Sequence, residues 1–170
     1  MTFAMDITLV KDEIFKIKGK TGFVLTDPNG PTIESINGES SKTFTGPGEY
    51  EVAGISIIGT KTEETNVFVY EVDQLRICHL GNSTKKLSDS KVSAIGDVDI
   101  LLVPVTTESI EMTQQLESYY VIPYGYKNEE ELEKFLKESG LATERMTKFS
   151  VKKDELIEDS TAQIVVLSDK

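Results

Sequence analysis

The chain's only cysteine and only histidine stand side by side, Cys78 and His79, within "LRICHLGN" at residues 75–82. Such a pair suggests a thiol nucleophile with an imidazole base, or two metal ligands. Local geometry argues against both. The run reads as a strand, and neighbouring strand residues point to opposite faces, so the thiol and the imidazole cannot reach each other. A tetrahedral zinc site of nitrogen and sulfur ligands needs about four of them, and one Cys with one His cannot supply that set. Cys78 is therefore expected to be a buried small hydrophobe, and His79 a satisfied core or supporting histidine.

Other catalytic patterns are weaker. "GISIIG" (54–59) departs from the G-x-S-x-G nucleophile elbow and lies in strands. A Ser–His–Asp triad would have to use His79, and nothing marks its partners. Neither Gly-rich phosphate-binding motif occurs. Asp27, Asp97 and Asp99 sit at strand ends or just before strands. They leave open an all-oxygen Mg²⁺ or Mn²⁺ site, set against their ordinary use as turn and cap residues.

The elements that must position these residues are mostly strands. "MDITLV" (5–10), "EIFKIKG" (13–19) and "GFVLTD" (22–27) are short β-branched and aromatic runs. The turn-rich stretch 27–48 is read as loops with one or two poor strands. "EYEVAGISIIGTK" (49–61) gives two strands split near Ala53–Gly54, and 66–72 pairs with 75–80 through Asp73–Gln74 as a hairpin. "DILLVPV" (99–105) is apolar almost throughout, as a strand covered on both faces must be. Helices are expected over 107–119 and 128–140, with Asn128 and Glu131 forming a capping box and Gly140 the stop. "YVIP" (120–123) reads as a buried strand ending near Pro123. "TERMTKFSV" (143–151) and "AQIVVLS" (162–168) read as two closing strands.

The totals exclude several function classes. The net charge of −11 disfavours nucleic acid, whose binding draws on a basic patch, and disfavours an anionic membrane surface. No apolar run approaches a membrane span. The N-terminus, "MTFAMDITLVKDE", shows neither a basic n-region nor a small-residue cleavage site, so no signal peptide is expected. A single cysteine fits a reducing cytoplasm. The 170 residues suit one domain, 1–170.

Taken in order, "FKIKGKTGFVLTDP", "GPGEYEVAGISIIG", "NVFVYEVDQLRICHLGN", "IGDVDILLVPV" and "YVIPYGYKN" resemble the metallo-β-lactamase-fold superfamily. The branch they resemble is the Zn-dependent hydrolase-like group related to ascorbate-6-phosphate lactonase. The resemblance implies an αββα sandwich with a metal site at one edge between the sheets, and hydrolysis by a metal-bound hydroxide. It also locates each ligand. The T-H-x-H-x-D-H loop should lie between Asp27 and Gly46, where this chain has only "PNGPTIESINGESSKTFT". The family's bridging aspartate falls on Asn82, a further histidine on Gly125, and an N-terminal histidine position on Asp12. Asp27 remains, with His79, which precedes the ligand aspartate and is not itself a usual ligand.

The resemblance thus implies a degenerate member, with Asp12, Asp27, His79, Asn82 and Gly125 at the former site positions, and no catalytic, metal or cofactor-binding residue. Shortening should also remove the outer helix of the N-terminal half. The expected fold is a reduced α+β sandwich of mostly antiparallel mixed sheets, with two to three helices in its C-terminal part. The expected function is binding or assembly, as a homo-oligomer or with a protein partner. The alternative is a metal-dependent hydrolase with a divalent metal in a rebuilt carboxylate site of Asp12, Asp27, Asn82 and Asp97. A third reading is small-molecule binding in the old substrate cleft.

Overall fold

The computed structural model describes residues 4–169, so the first three residues of the stretch expected to lack a leader fall outside it. Strands β1 (Met5–Lys11), β2 (Ile14–Lys18), β3 (Gly22–Leu25), β4 (Thr32–Ser35) and β5 (Ser41–Thr43) form an antiparallel meander. Alternation sorts their side chains. Met5, Ile7, Phe15, Ile17, Val24 and Ile33 are buried on one face. The opposite face carries two cross-strand rows, Thr8–Lys16–Leu25–Thr32 and Asp6–Lys18–Phe23–Glu34. Lys16 Nζ lies 4.4 Å from the centre of the Phe23 ring, so a cation shields that aromatic group.

The second sheet begins with β6 (Gly48–Val52), β7 (Ile55–Lys61), β8 (Asn66–Val72) and β9 (Leu75–His79), paired antiparallel in sequence. Two two-residue turns join them. Ala53 and Gly54, and Asp73 and Gln74, all have positive φ, between 50° and 76°, as type I′ hairpins require. The sheet continues with β10 (Ile100–Pro104) and β11 (Tyr120–Tyr124), each parallel to its neighbour, then β14 (Gln163–Leu167) and β12 (Thr143–Met146). Among the described residues this makes one six-stranded and one eight-stranded sheet.

Helices α1 (Asp89–Ile95), α2 (Ser109–Gln115) and α3 (Glu129–Ser139) pack on the eight-stranded sheet alone. Asn128 caps α3 by accepting from the Glu131 N–H at 2.9 Å, and Gly140 ends it with φ 66°. Two apolar layers result. One fills the space between the sheets, with Ile57, Tyr70, Ile77, Leu102 and Ile122 at its centre. The other lies between sheet and helices, with Cys78, Leu101, Val103, Val121, Met112 and Phe135. The outer face of the six-stranded sheet carries no helix among the described residues, in keeping with the shortened N-terminal half.

The structure corrects some expected boundaries. "TERMTKFSV" is not one strand. It breaks at Thr147–Lys148, so that β12 joins the eight-stranded sheet and β13 (Phe149–Val151) crosses to pair with β1. The expected helix 107–119 is only α2, which begins at Ser109, where the hydroxyl has the Pro104 and Thr106 carbonyls within reach of its single proton, at 2.7 and 2.9 Å, and ends at Gln115. Helix α1 was not anticipated: it is seven residues long and fully buries only Ile95. Strand β11 passes through Pro123 to Tyr124, since β14 pairs with it only at Tyr120 and Val121 and demands no further N–H from it.

The two faces of this sandwich should respond differently to truncation. Ile77→Ala, between the sheets, is expected to destabilise by about 2–5 kcal/mol. Thr8→Ala, on the outer face of the six-stranded sheet, should stay within about 0.5 kcal/mol. Urea unfolding of both variants measures the contrast.

Candidate functional site

Strands β9, β10 and β11 run parallel, so the loops that follow them emerge at one end of the sandwich. The β1–β2 turn and the turn after β3 reach the same end. Glu13 O, at the start of β2, accepts from His79 Nε2 at 2.8 Å, and Thr26 is tied to Phe15 on β2. This edge is where the sequence resemblance places the site.

His79 is its central side chain. It is buried and points between the sheets, against Phe15 and Tyr124, whereas Cys78 points into the helix-side layer. A carbonyl only accepts, so the bond to Glu13 O requires the proton on Nε2. Nδ1 is then the acceptor, and it takes the Gly81 N–H at 3.0 Å. Tyr124 stacks on the imidazole at 4.6 Å between ring centres, and its hydroxyl donates to Gly81 O at 2.6 Å. Gly81 has φ 61°, and a Cβ there would lie 2.7 Å from Asn66 O, so this turn needs glycine. Burial lowers the His79 pKa to about 4, against the smaller opposing effects of the Glu13 carbonyl and the Asp27 carboxylate.

The other positions are more scattered. Asp27 lies close enough to act electrostatically on His79 and on Tyr70, and accepts from the Asn29 N–H at 2.9 Å in a local turn. Asp12 occupies the exposed β1–β2 turn with φ 52°. Asn82 is exposed, donates its backbone N–H to Thr65 Oγ1 at 3.3 Å, and borders a shallow depression of about 260 Å³. Gly125 is exposed with φ 75° and open space where a Cβ would stand. Asp97 does not belong to this edge. It precedes β10, whereas Asn82 follows the parallel β9, so the two lie at opposite ends of the sheet. Asp99, at the same far end as Asp97, accepts from the Arg76 N–H at 2.8 Å and pairs with Lys153 at 3.2 Å. A rebuilt carboxylate site that includes Asp97 is ruled out by this topology.

The donor set does not fit a zinc ion. Both His79 nitrogens are committed, and freeing Nδ1 would strand the Gly81 N–H. Among the described residues, no three His, Cys, Asp or Glu side chains come together as a metal-binding group. What the edge does hold is a bond network across the two sheets. Sequence reasoning missed Tyr124, 45 residues from His79, and Tyr70, whose buried hydroxyl has no hydrogen-bond partner among the described residues. The expected strand over 120–123 stops short of Tyr124, and nothing in the sequence shows what either hydroxyl meets.

Two facing sheets with helices on one outer face make a reduced form of the αββα metallo-β-lactamase sandwich. The family model for the beta-lactamase superfamily domain matches residues 16–124, and the chain belongs to that family. The structure is similar to that of a Thermotoga maritima member of the metallo-β-lactamase superfamily, provisionally assigned as a zinc-dependent hydrolase. The TM-score is 0.78 at 24% identity, covering 96% of this chain and 98% of that one. A Parabacteroides distasonis protein, provisionally assigned as a metal-dependent hydrolase, aligns with TM-score 0.47 and 10% identity over 89% and 93% of the two chains. At 24% identity the first of these likenesses concerns the fold alone. No curated protein matches the chain.

Two predictions follow from the network. The folded pKa of His79 lies below its ordinary 6.5, so the unfolded state binds more protons between the two values. Its contribution is present above pH 6.5 and is lost as pH falls towards 4, by about 3 kcal/mol in total. Urea unfolding from pH 7.5 to 4.5 should show this slope in the native protein and lack it in His79→Phe, the difference cancelling the carboxylates common to both. The tyrosines should diverge: Tyr124→Phe strands Gly81 O and costs about 1–3 kcal/mol, whereas Tyr70→Phe removes an unpaired hydroxyl and is neutral or stabilising.

Proposed function

We propose that this protein is a non-catalytic member of the β-lactamase superfamily that acts by binding or assembly in the cytoplasm, as one domain over residues 1–170. The observation that carries this reading is that, among the described residues, no three His, Cys, Asp or Glu side chains come together as a metal-binding group, and His79, with both nitrogens committed at 2.8 and 3.0 Å, does not make up for them. A neutral, buried imidazole with no free lone pair supplies neither a ligand nor a base. Asn82 and Gly125, at the family's ligand positions, add no anionic or imidazole donor. Asp12, Asp27, His79, Asn82 and Gly125 are on this reading the remains of a site.

The proposed mode of action is contact with a second copy of the chain or with another protein. The net charge of −11 speaks against nucleic acid. Among the described residues, no helix is long and apolar enough to cross a membrane.

Elemental analysis of the purified protein tests the reading directly. Zinc, manganese and iron should each be far below one per chain, and the melting temperature should not move with added Zn²⁺, Mn²⁺ or Mg²⁺. Stoichiometric metal, or a metal-dependent rise in melting temperature, would restore the hydrolase reading through Asp12, Asp27 and Asn82.

A further inference from the structure

A single carboxylate joins the β7–β8 turn to the loop after β9. Glu64 accepts from the Thr84 N–H at 3.1 Å to each oxygen, from the Lys85 N–H at 3.2 Å, and from the Thr84 hydroxyl. Two successive amides and a hydroxyl converging on one anion form an oxyanion receptor. The Thr84 hydroxyl bond, the largest contribution, holds the Glu64 carboxyl below its usual range.

Lysines gather beside Glu64 in an otherwise acidic protein, with Glu63 as the other carboxylate among them. On one side of Glu64 lies a cleft of about 460 Å³ bordered by Lys85, Lys86 and Lys91. On the other lies the smaller depression bordered by Lys61 and Asn82. Thr62, Glu63 and Glu64 border both, so this turn is the wall between them. The wall does not depend on Glu64 alone. Thr62 Oγ1 bonds to Thr65 O at 2.9 Å, and the Asn82 N–H reaches Thr65 Oγ1. Glu64 itself is exposed. Thr84 lines neither depression while Glu64 covers its N–H and hydroxyl; rotation of the Glu64 side chain would uncover them, with the Lys85 N–H, beside the cleft that Lys85, Lys86 and Lys91 border.

We propose that the Thr84 and Lys85 amides, the Thr84 hydroxyl, and Lys85, Lys86 and Lys91 form a binding site for a phosphate group, with Glu64 as its built-in competitor. A phosphate dianion brings more charge and more acceptor oxygens than the carboxylate it displaces, and lysines that do not touch Glu64 can reach it. The site gives the binding reading above a ligand class and rests on that reading only for its purpose. Phosphate titration and metal analysis probe different residues, so either can fail alone.

The test is calorimetric titration of the full chain with inorganic phosphate, with amide chemical shifts followed by NMR. Glu64→Ala should bind phosphate about tenfold more tightly than the native protein, the loss of one competing charge-assisted acceptor. The Thr84 and Lys85 amides should shift on titration. Adding Lys86→Ala and Lys91→Ala to Glu64→Ala should reverse the gain. Should Glu64→Ala melt early, Glu64→Gln keeps the turn with a weaker acceptor and should still bind more tightly than the native protein. The proposal is overturned if neither Glu64 variant gains affinity, if binding leaves the Thr84 and Lys85 amides unmoved, or if the lysine substitutions change nothing.

Discussion

The architecture depends on one constraint: β10 is apolar on both faces, and its neighbours β9 and β11 are largely so. Every residue of β10 from Ile100 to Pro104 is buried. A strand of this kind cannot border water on either side, since each exposed face would forfeit its apolar burial. The six-stranded sheet answers for one face, and α1, α2 and α3 answer for the other. The outer sheet has no such need. Its inward residues are apolar, its outward rows are mostly Lys, Asp, Glu and Thr with only Phe23 and Leu25 apolar, and it tolerates solvent where the central strands do not. The same logic explains why the sandwich stands with helices on one side only.

The edge around His79 is where the two sheets must be held in register. The residues that do this are uncharged. An Nε2–H donor bonds a carbonyl of the opposite sheet, an Nδ1 acceptor takes a local amide, and a stacked tyrosine closes the turn at Gly81. A buried polar network of this kind is favourable only when its members are satisfied, and here each histidine nitrogen is. The chemistry a neutral imidazole might offer has been spent on holding the edge together. The more exposed charges gather elsewhere, in the turn and loop that meet at Glu64.

Much of this was legible from residue patterns. The apolar run at 99–105 announced a two-faced strand, and the hairpin at Asp73–Gln74 and the split at Ala53–Gly54 fell where expected. Strand alternation alone separates Cys78 from His79. The features that escaped share a cause: they depend on contacts distant in sequence. The Tyr124 hydroxyl meets Gly81, 43 residues away, and no periodicity encodes that. Helix α1, rich in Ser and Asp, is too short to show a 3.6-residue stripe. "TERMTKFSV" contains no Gly or Pro to mark its crossing, because the break is imposed by two sheets competing for its halves. Asp97 was grouped with the wrong end because strand direction, not spacing, decides which loops are neighbours.

That crossing has a consequence for the order in which the molecule can be completed. Strand β13 borders β1 through Met5↔Val151, Asp6↔Ser150 and Ile7↔Phe149. The first strand of the chain therefore waits for nearly the last segment before its outer edge is paired. During synthesis the six-stranded sheet exposes the backbone of β1 until residue 151 has left the ribosome, and closing so long a loop is an entropic burden borne late. The N-terminal meander is in this sense an unfinished sheet, and the C-terminal third is its clasp.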